Sequence, residues 1–194
     1  DKVVGKARFA ADLNLPGQLH GSIVRSPHAH AKVVSIDTSA AEAMPGVKAV
    51  VTGDDFPALD PTHPNFDTAV NCMARGEVFY NGHAIAAVTA TTREEAKAAA
   101  AAIEVEYELL PAILSIADSM AEGAPLANSN NYTRFVPPGD PSNLATVTNL
   151  DRGDVDQAMA DADVVVEMGF DCAHVHQGYI EPHACVVDSG DGKA

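Results

Sequence analysis

The stretch HAIAAVTATTREEAKAAAAAIEVEYELL (His83–Leu110) constrains the fold more than any other part of this 194-residue chain. It opens with the continuous apolar run His83–Ala90, the mark of a strand buried on both faces. Thr92 with Glu95 three residues on predicts a capping box, and the alanine-rich REEAKAAAAAI behind it predicts a helix. Glu104, Glu106 and Glu108 then alternate with Val105, Tyr107 and Leu109, the period of a strand with one acidic wet face and one buried face. Each of these elements has an apolar side that must be covered, so they belong to a layered core of sheet and helix.

The residues upstream read the same way. Gln18–Ser26 and Ala31–Asp37 are expected strands on either side of PHAH, and Val47–Gly53 is a third β-branched run. Between the last two, Ser39 with Glu42 fits a second capping box, and Pro45-Gly46 stops the short helix. Residues 54 to 76 hold Pro57, Pro61 and Pro64 with little periodicity and are expected to be a loop. After Pro111 the composition turns polar, with ANSNNYTRF and PPGDPSN, as in an extended linker. Order is expected to return with a helix capped by Asp154, then strands at Val164–Asp171 and His183–Asp188. The expected class is α+β: a mixed sheet with short helices over 1–110, a linker over 111–150, and the first elements of a second α/β domain over 151–194. The start at Asp1 and the turn-like DSGDGKA at the other end suggest a piece of a longer protein.

Charge and cysteines narrow the function classes. Twelve basic against 27 acidic residues give a net charge of -15, which argues against nucleic acid, since phosphate binding needs clustered Lys and Arg. The three cysteines, Cys72, Cys172 and Cys185, are widely spaced and form no CxxC pair, which suits a reducing, cytoplasmic setting. No apolar run approaches ~18 residues, so no membrane-spanning helix is expected. Neither GxGxxG nor GxSxG occurs.

Two groups of side chains could bind a metal. His28 and His30, with His20 and Asp37 near in sequence, would share a face only in an extended segment, and they lack a clear third and fourth ligand. The competing reading is that Pro27 sets a tight turn and the imidazoles bond backbone groups at a strand end. The second group is FDCAHVHQGYIEPHACVV, with Cys172, His174, His176, Glu181, His183 and Cys185. It matches no standard ligand spacing and contains Pro182, so it also fits a strand–turn–strand in which Gln177 and Glu181 hold backbone groups.

In order along the chain, the motifs resemble the large subunit of the molybdenum hydroxylases, the xanthine dehydrogenase and aldehyde oxidase family. The segments are Gly5, Ala7, Phe9 and Asp12; Leu19 and Gly21; Arg25 through Ala31; Ile36 and Asp37; and Pro45 through Val47. VFYNGHAIAAVTATTREEAKAAAAAIEVEYELLPAI, GDVDQAMADADVVVE and HQGYIEPHACV continue the likeness. His83 departs from it, standing where Gln or another polar residue is expected.

The resemblance implies an α/β hammerhead domain over 1–110 and the entry to a molybdopterin-binding domain after the linker. It also implies hydroxylation of an aldehyde, purine or aromatic heterocycle, with water as the oxygen source and a glutamate as base. The implied cofactors are molybdopterin in the full-length chain, with [2Fe-2S] clusters and FAD on partner subunits or domains. The catalytic glutamate and the cofactor loop are expected beyond Ala194, so no residue here is assigned to catalysis, cofactor or metal. The fragment alone is expected to be structural and inactive. A reductive relative of the 4-hydroxybenzoyl-CoA reductase kind, a stand-alone metal-binding module and an interaction module are the alternatives.

Overall fold

The computed structural model describes residues 1–60, 63–128, 142–144, 148–150, 152–173, 175–181, 183–188 and 190. The chain separates into two compact units, Gln18–Thr148, and Asp1–Gly17 together with Asn149–Ala194.

In the first unit the elements follow in the order β1 (His20–Arg25), β2 (Ala31–Asp37), α1 (Ser39–Glu42), β3 (Val47–Thr52) and α2 (Phe66–Cys72). They continue with β4 (Glu77–Val78), β5 (Ala84–Ala90), α3 (Arg93–Ala101), β6 (Glu104–Leu109) and α4 (Ile116–Met120). The α+β class is as expected, but one mixed sheet is replaced by two three-stranded sheets, β1-β5-β3 and β4-β2-β6. Every pairing in them is antiparallel. The apolar run of β5 reflects its central position rather than a parallel sheet. Ala86 and Val88 pack with Ala41, Ala99 and Ile103, while Ile85 packs with Ala31, Ala74 and Val78. Ile36 and Val105 border both clusters. Small side chains let α3 approach the sheet closely: Ala96 and Ala99 are fully buried, as are Ala86 and Ala90.

The local signals in β5–α3–β6 hold. Thr92 Oγ1 accepts from the Glu95 N–H (3.2 Å), and Glu95 Oε2 accepts from the Thr92 N–H (3.0 Å), closing the capping box. Gly46 is required beside it. Its φ of +83° suits glycine, and a Cβ there would lie 2.3 Å from the Glu95 carboxylate.

Ser39, in contrast, does not cap α1. Asp37 Oδ1 accepts from both the Ser39 N–H (2.9 Å) and its hydroxyl (2.6 Å), and Thr38 occupies the N-cap. The helix begins one residue early, so the Glu42 N–H donates to the Thr38 carbonyl (2.9 Å) and Ser39 lies inside the first turn. Glu42 instead accepts from the Thr38 hydroxyl (2.6 Å).

Residues 54 to 76 are not all loop, since they contain α2. The prolines lie ahead of the helix, where they do not break it, and buried Phe66 anchors its first turn. Arg75 then fastens the turn Gly53–Asp55: its guanidinium donates to the carbonyls of Gly53 (2.8 Å) and Phe56 and pairs with Asp54 (3.4 Å). Residues 111–128 carry α4 within the stretch expected to be an extended linker. Ser115 caps it by accepting from the Asp118 N–H (3.0 Å). The Asn143 amide ties this region together, accepting from Ala127 N–H (2.8 Å) and donating to the carbonyls of Ser119 (3.0 Å) and Pro125 (2.9 Å).

In the second unit α5 (Val155–Asp161) is capped by Asp154 as expected, with Oδ1 accepting from the Gln157 N–H (2.9 Å). The strands expected at Val164–Asp171 and His183–Asp188 are not formed. Among the described residues no ladder pairs with them, and Val164, Val166, Phe170 and Val187 are exposed. A strand exists only through its neighbours' hydrogen bonds, whatever its composition. His174, Pro182, most of ANSNNYTRF and PPGDPSN, and the terminal GKA lie outside the described residues.

Candidate functional site

The PHAH turn joins β1 to β2. The Ser26 hydroxyl both accepts from the His28 N–H (3.0 Å) and donates to the His28 carbonyl (3.0 Å), which fixes the bend after Pro27. The two imidazoles then part company. His28 packs edge-on against Tyr107, ring centroids 4.8 Å apart. His30 is nearly buried, with Nδ1 2.7 Å from the Pro111 carbonyl oxygen and Nε2 2.7 Å from Glu77 Oε1. Burial alone would push the His30 imidazole down, but the Pro111 carbonyl and the Glu77 carboxylate outweigh it and hold it above the usual histidine value.

His20 and Asp37 do not join them. His20 opens β1 opposite Ala90, and Asp37 ends β2, its carboxyl held below the usual range by the Ser39 hydroxyl and N–H. Among the described residues no three His, Cys, Asp or Glu side chains converge as a metal site. The described members of the Cys172–Cys185 group likewise form no such set. His176 Nδ1 accepts from the Gly178 N–H (3.2 Å), its ring leans on Tyr179 (4.8 Å), and the Tyr179 hydroxyl meets His183 Nε2. Cys72, Cys172 and Cys185 are free and exposed.

Two further residues matter: Glu77, which motif reading did not single out, and His83, which it noted only as a departure from the family pattern. Glu77, the partner of His30, lies 47 residues away in sequence, and nothing local announces it. His83 is fully buried at the head of β5 and stacks on Tyr80 (centroids 4.4 Å). Its Nδ1 accepts from the Phe79 N–H (3.3 Å), so Nε2 carries the proton and donates to the Val70 carbonyl (2.9 Å). That carbonyl belongs to the last turn of α2, where the Ala74 N–H turns away to Ala84 (2.8 Å). His83 therefore satisfies a helix end and pins α2 to the sheet. Burial pushes its imidazole down, against the Val70 carbonyl, and the neutral tautomer is the one the geometry accepts. A polar residue heading an otherwise apolar run was the available signal.

Beside α2 lies an apolar cavity of about 590 Å³ under Phe56, Phe66, Met73 and Phe79. The Arg75 guanidinium at its rim is already engaged by Asp54 and by backbone carbonyls. The cavity thus presents no catalytic pair of charged groups among the described residues.

Residues 4–111 match the family described as aldehyde oxidase and xanthine dehydrogenase, a/b hammerhead domain, and residues 136–194 match the molybdopterin cofactor-binding domain. The chain is 35% identical over 189 residues to the nicotinate dehydrogenase large molybdopterin subunit of Eubacterium barkeri, covering 96% of this chain and 41% of that protein. It is 35% identical over 190 residues to the carbon monoxide dehydrogenase large chain of Afipia carboxidovorans, covering 94% of this chain and 23% of the relative. Among solved structures, aldehyde oxidoreductase from Desulfovibrio gigas superposes with a TM-score of 0.61 at 31% identity, over 84% of this chain and 18% of that one. The chain thus spans well under half the length of these relatives. With the hammerhead match covering more than half of its residues and the cofactor-binding match following in order, the chain belongs to the aldehyde oxidase and xanthine dehydrogenase family.

Proposed function

We propose that this chain is part of the molybdopterin-bearing large subunit of a molybdenum-dependent oxidoreductase that hydroxylates an aldehyde, purine or aromatic heterocycle with water as the oxygen source. The observation that carries the reading is the succession of the two matched domains in one chain. Residues 1–110 would be the hammerhead domain, 111–150 the crossing segment and 151–194 the entry to the cofactor domain. The domain's part in this is mechanical. Of its histidines, His30 and His83 are engaged by backbone carbonyls and a carboxylate, and His28 packs against Tyr107.

The described residues of 136–194 are almost all exposed and bring together no converging donor set. They do not by themselves fit a pterin or a metal. Electron transfer would pass to [2Fe-2S] clusters and FAD on partner subunits or domains, consistent with relatives named as subunits of larger enzymes. Three free cysteines suit the cytoplasm.

Multi-element metal analysis of the native complex tests the reading. Stoichiometric molybdenum, accompanied by iron from the partners, is the expected result. Zinc or copper without molybdenum would overturn it and return attention to the Cys172–Cys185 group.

A further inference from the structure

A neutral imidazole carries one N–H and one bare lone pair, and only the protonated ring donates from both nitrogens. Both nitrogens of His30 face acceptors: the Pro111 carbonyl oxygen at 2.7 Å and Glu77 Oε1 at 2.7 Å. A backbone carbonyl has no proton to give, and neither has an ionised carboxylate. A neutral His30 would therefore aim a lone pair at one of these oxygens, at hydrogen-bond distance and with the side chain only 11% exposed. His83 shows the opposite arrangement, one donor and one acceptor facing its ring, which suits the neutral form.

The three groups come from distant parts of the fold. His30 leads into β2, Glu77 opens β4, and Pro111 is where the chain leaves β6. The Leu110 N–H also donates to the His30 carbonyl (3.1 Å), so the exit is held at two neighbouring points. Charged groups on the surrounding elements are otherwise occupied. Lys32 of β2 pairs with Glu108 of β6 (3.1 Å), and Arg75 ahead of β4 pairs with Asp54. Glu77 is the charged group that meets the ring, while Phe79 of β4 lies 6.3 Å away, centroid to centroid.

We propose that His30 is a proton-operated clasp: doubly protonated, it fastens the chain leaving β6 at Pro111 to the Glu77 end of β4, and loss of one ring proton frees one of the two attachments. The direction in pH follows from the raised folded-state value. The fastening contributes fully below the ordinary value of 6.5 and is lost as pH rises through the higher folded one. Acid tightens the exit and alkali loosens it.

Histidine C2-hydrogen exchange, read by mass spectrometry on the full-length protein, gives the titration midpoint of His30 directly. The expected midpoint lies above 6.5, and Glu77→Gln moves it down. Backbone amide exchange over residues 108–116, corrected for intrinsic rate, should lose protection as pH rises through that midpoint. His30→Gln should abolish this pH dependence. A midpoint at or below 6.5, a Glu77→Gln protein with an unchanged midpoint, or protection that does not vary with pH would each overturn the clasp. Should His30→Gln not fold, the milder Glu77→Gln variant still decides the question.

Discussion

Strand β5 and the stretch Val164–Phe170 invert what residue preference alone would say. AIAAVTA is rich in alanine, which is depleted in strands, whereas VVVEMGF is led by β-branched residues that favour them. Yet β5 is the central, buried strand of its sheet, and the valines of the other stretch stand exposed and unpaired among the described residues. The difference is neighbours. β5 has β1 on one edge and β3 on the other, with α3 covering its alanine face. Strand formation is a property of the sheet, and composition contributes to it only where partners already stand.

The contrast is sharpest in the core. Ile85→Ala removes a fully buried side chain between the two sheets and should cost about 2–5 kcal/mol in urea unfolding. Val165→Ala, on the exposed stretch, should stay within about 0.5 kcal/mol. Equal losses would mean that Val164–Phe170 is packed after all.

His83→Leu comes next. It leaves the Phe79 N–H and the Val70 carbonyl without partners, for a loss of about 1–3 kcal/mol. It also carries a pH signature. Because burial depresses the folded-state value, the stability His83 contributes is present above the ordinary 6.5 and is lost as pH falls through the folded value. Unfolding midpoints should therefore drop below pH 6.5 in the unsubstituted protein, and the leucine variant should lack that part of the drop.

The smallest effect compares caps. Thr92→Ala should lower the unfolding free energy by about 1 kcal/mol, because α3 is packed in the core. Asp154→Ala removes a comparable cap from α5, which buries no residue, so it should reduce helical circular dichroism while leaving the unfolding midpoint in place.

Legibility followed range. The Thr92–Glu95 box, the alanine helix and the alternating glutamates are local, and each forms where the residues placed it, except that Leu109, expected on the buried face of β6, is exposed. The Ser39–Glu42 box is equally local but fails, because Thr38 takes the N-cap and its carbonyl accepts from the Glu42 N–H. Helix α2 was hidden by prolines clustered ahead of it and by a tether from His83, thirteen residues beyond the carbonyl it holds. At the histidine turn, the bend at Pro27 and a backbone partner for His30 were readable. That the partner is Pro111, 81 residues on, and that Glu77 completes the pair, was not. Contacts across such separations leave no periodicity for a reader of the sequence to find.

The order of the strands has a consequence for synthesis. β1 and β3 pair with β5, and β2 pairs with β4 and β6, so each sheet is completed by a strand made later. His20 waits for Ala90, a gap of seventy residues, which at ribosomal speeds amounts to roughly 4 to 14 s. During that interval Ile23, Val24, Val50 and Val51 are strand residues without a ladder, and their open edges can be taken up by another nascent chain or by a chaperone. The wait is set by the stretch from Thr52 to Ala84, which must be made before β1 and β3 have their later strand.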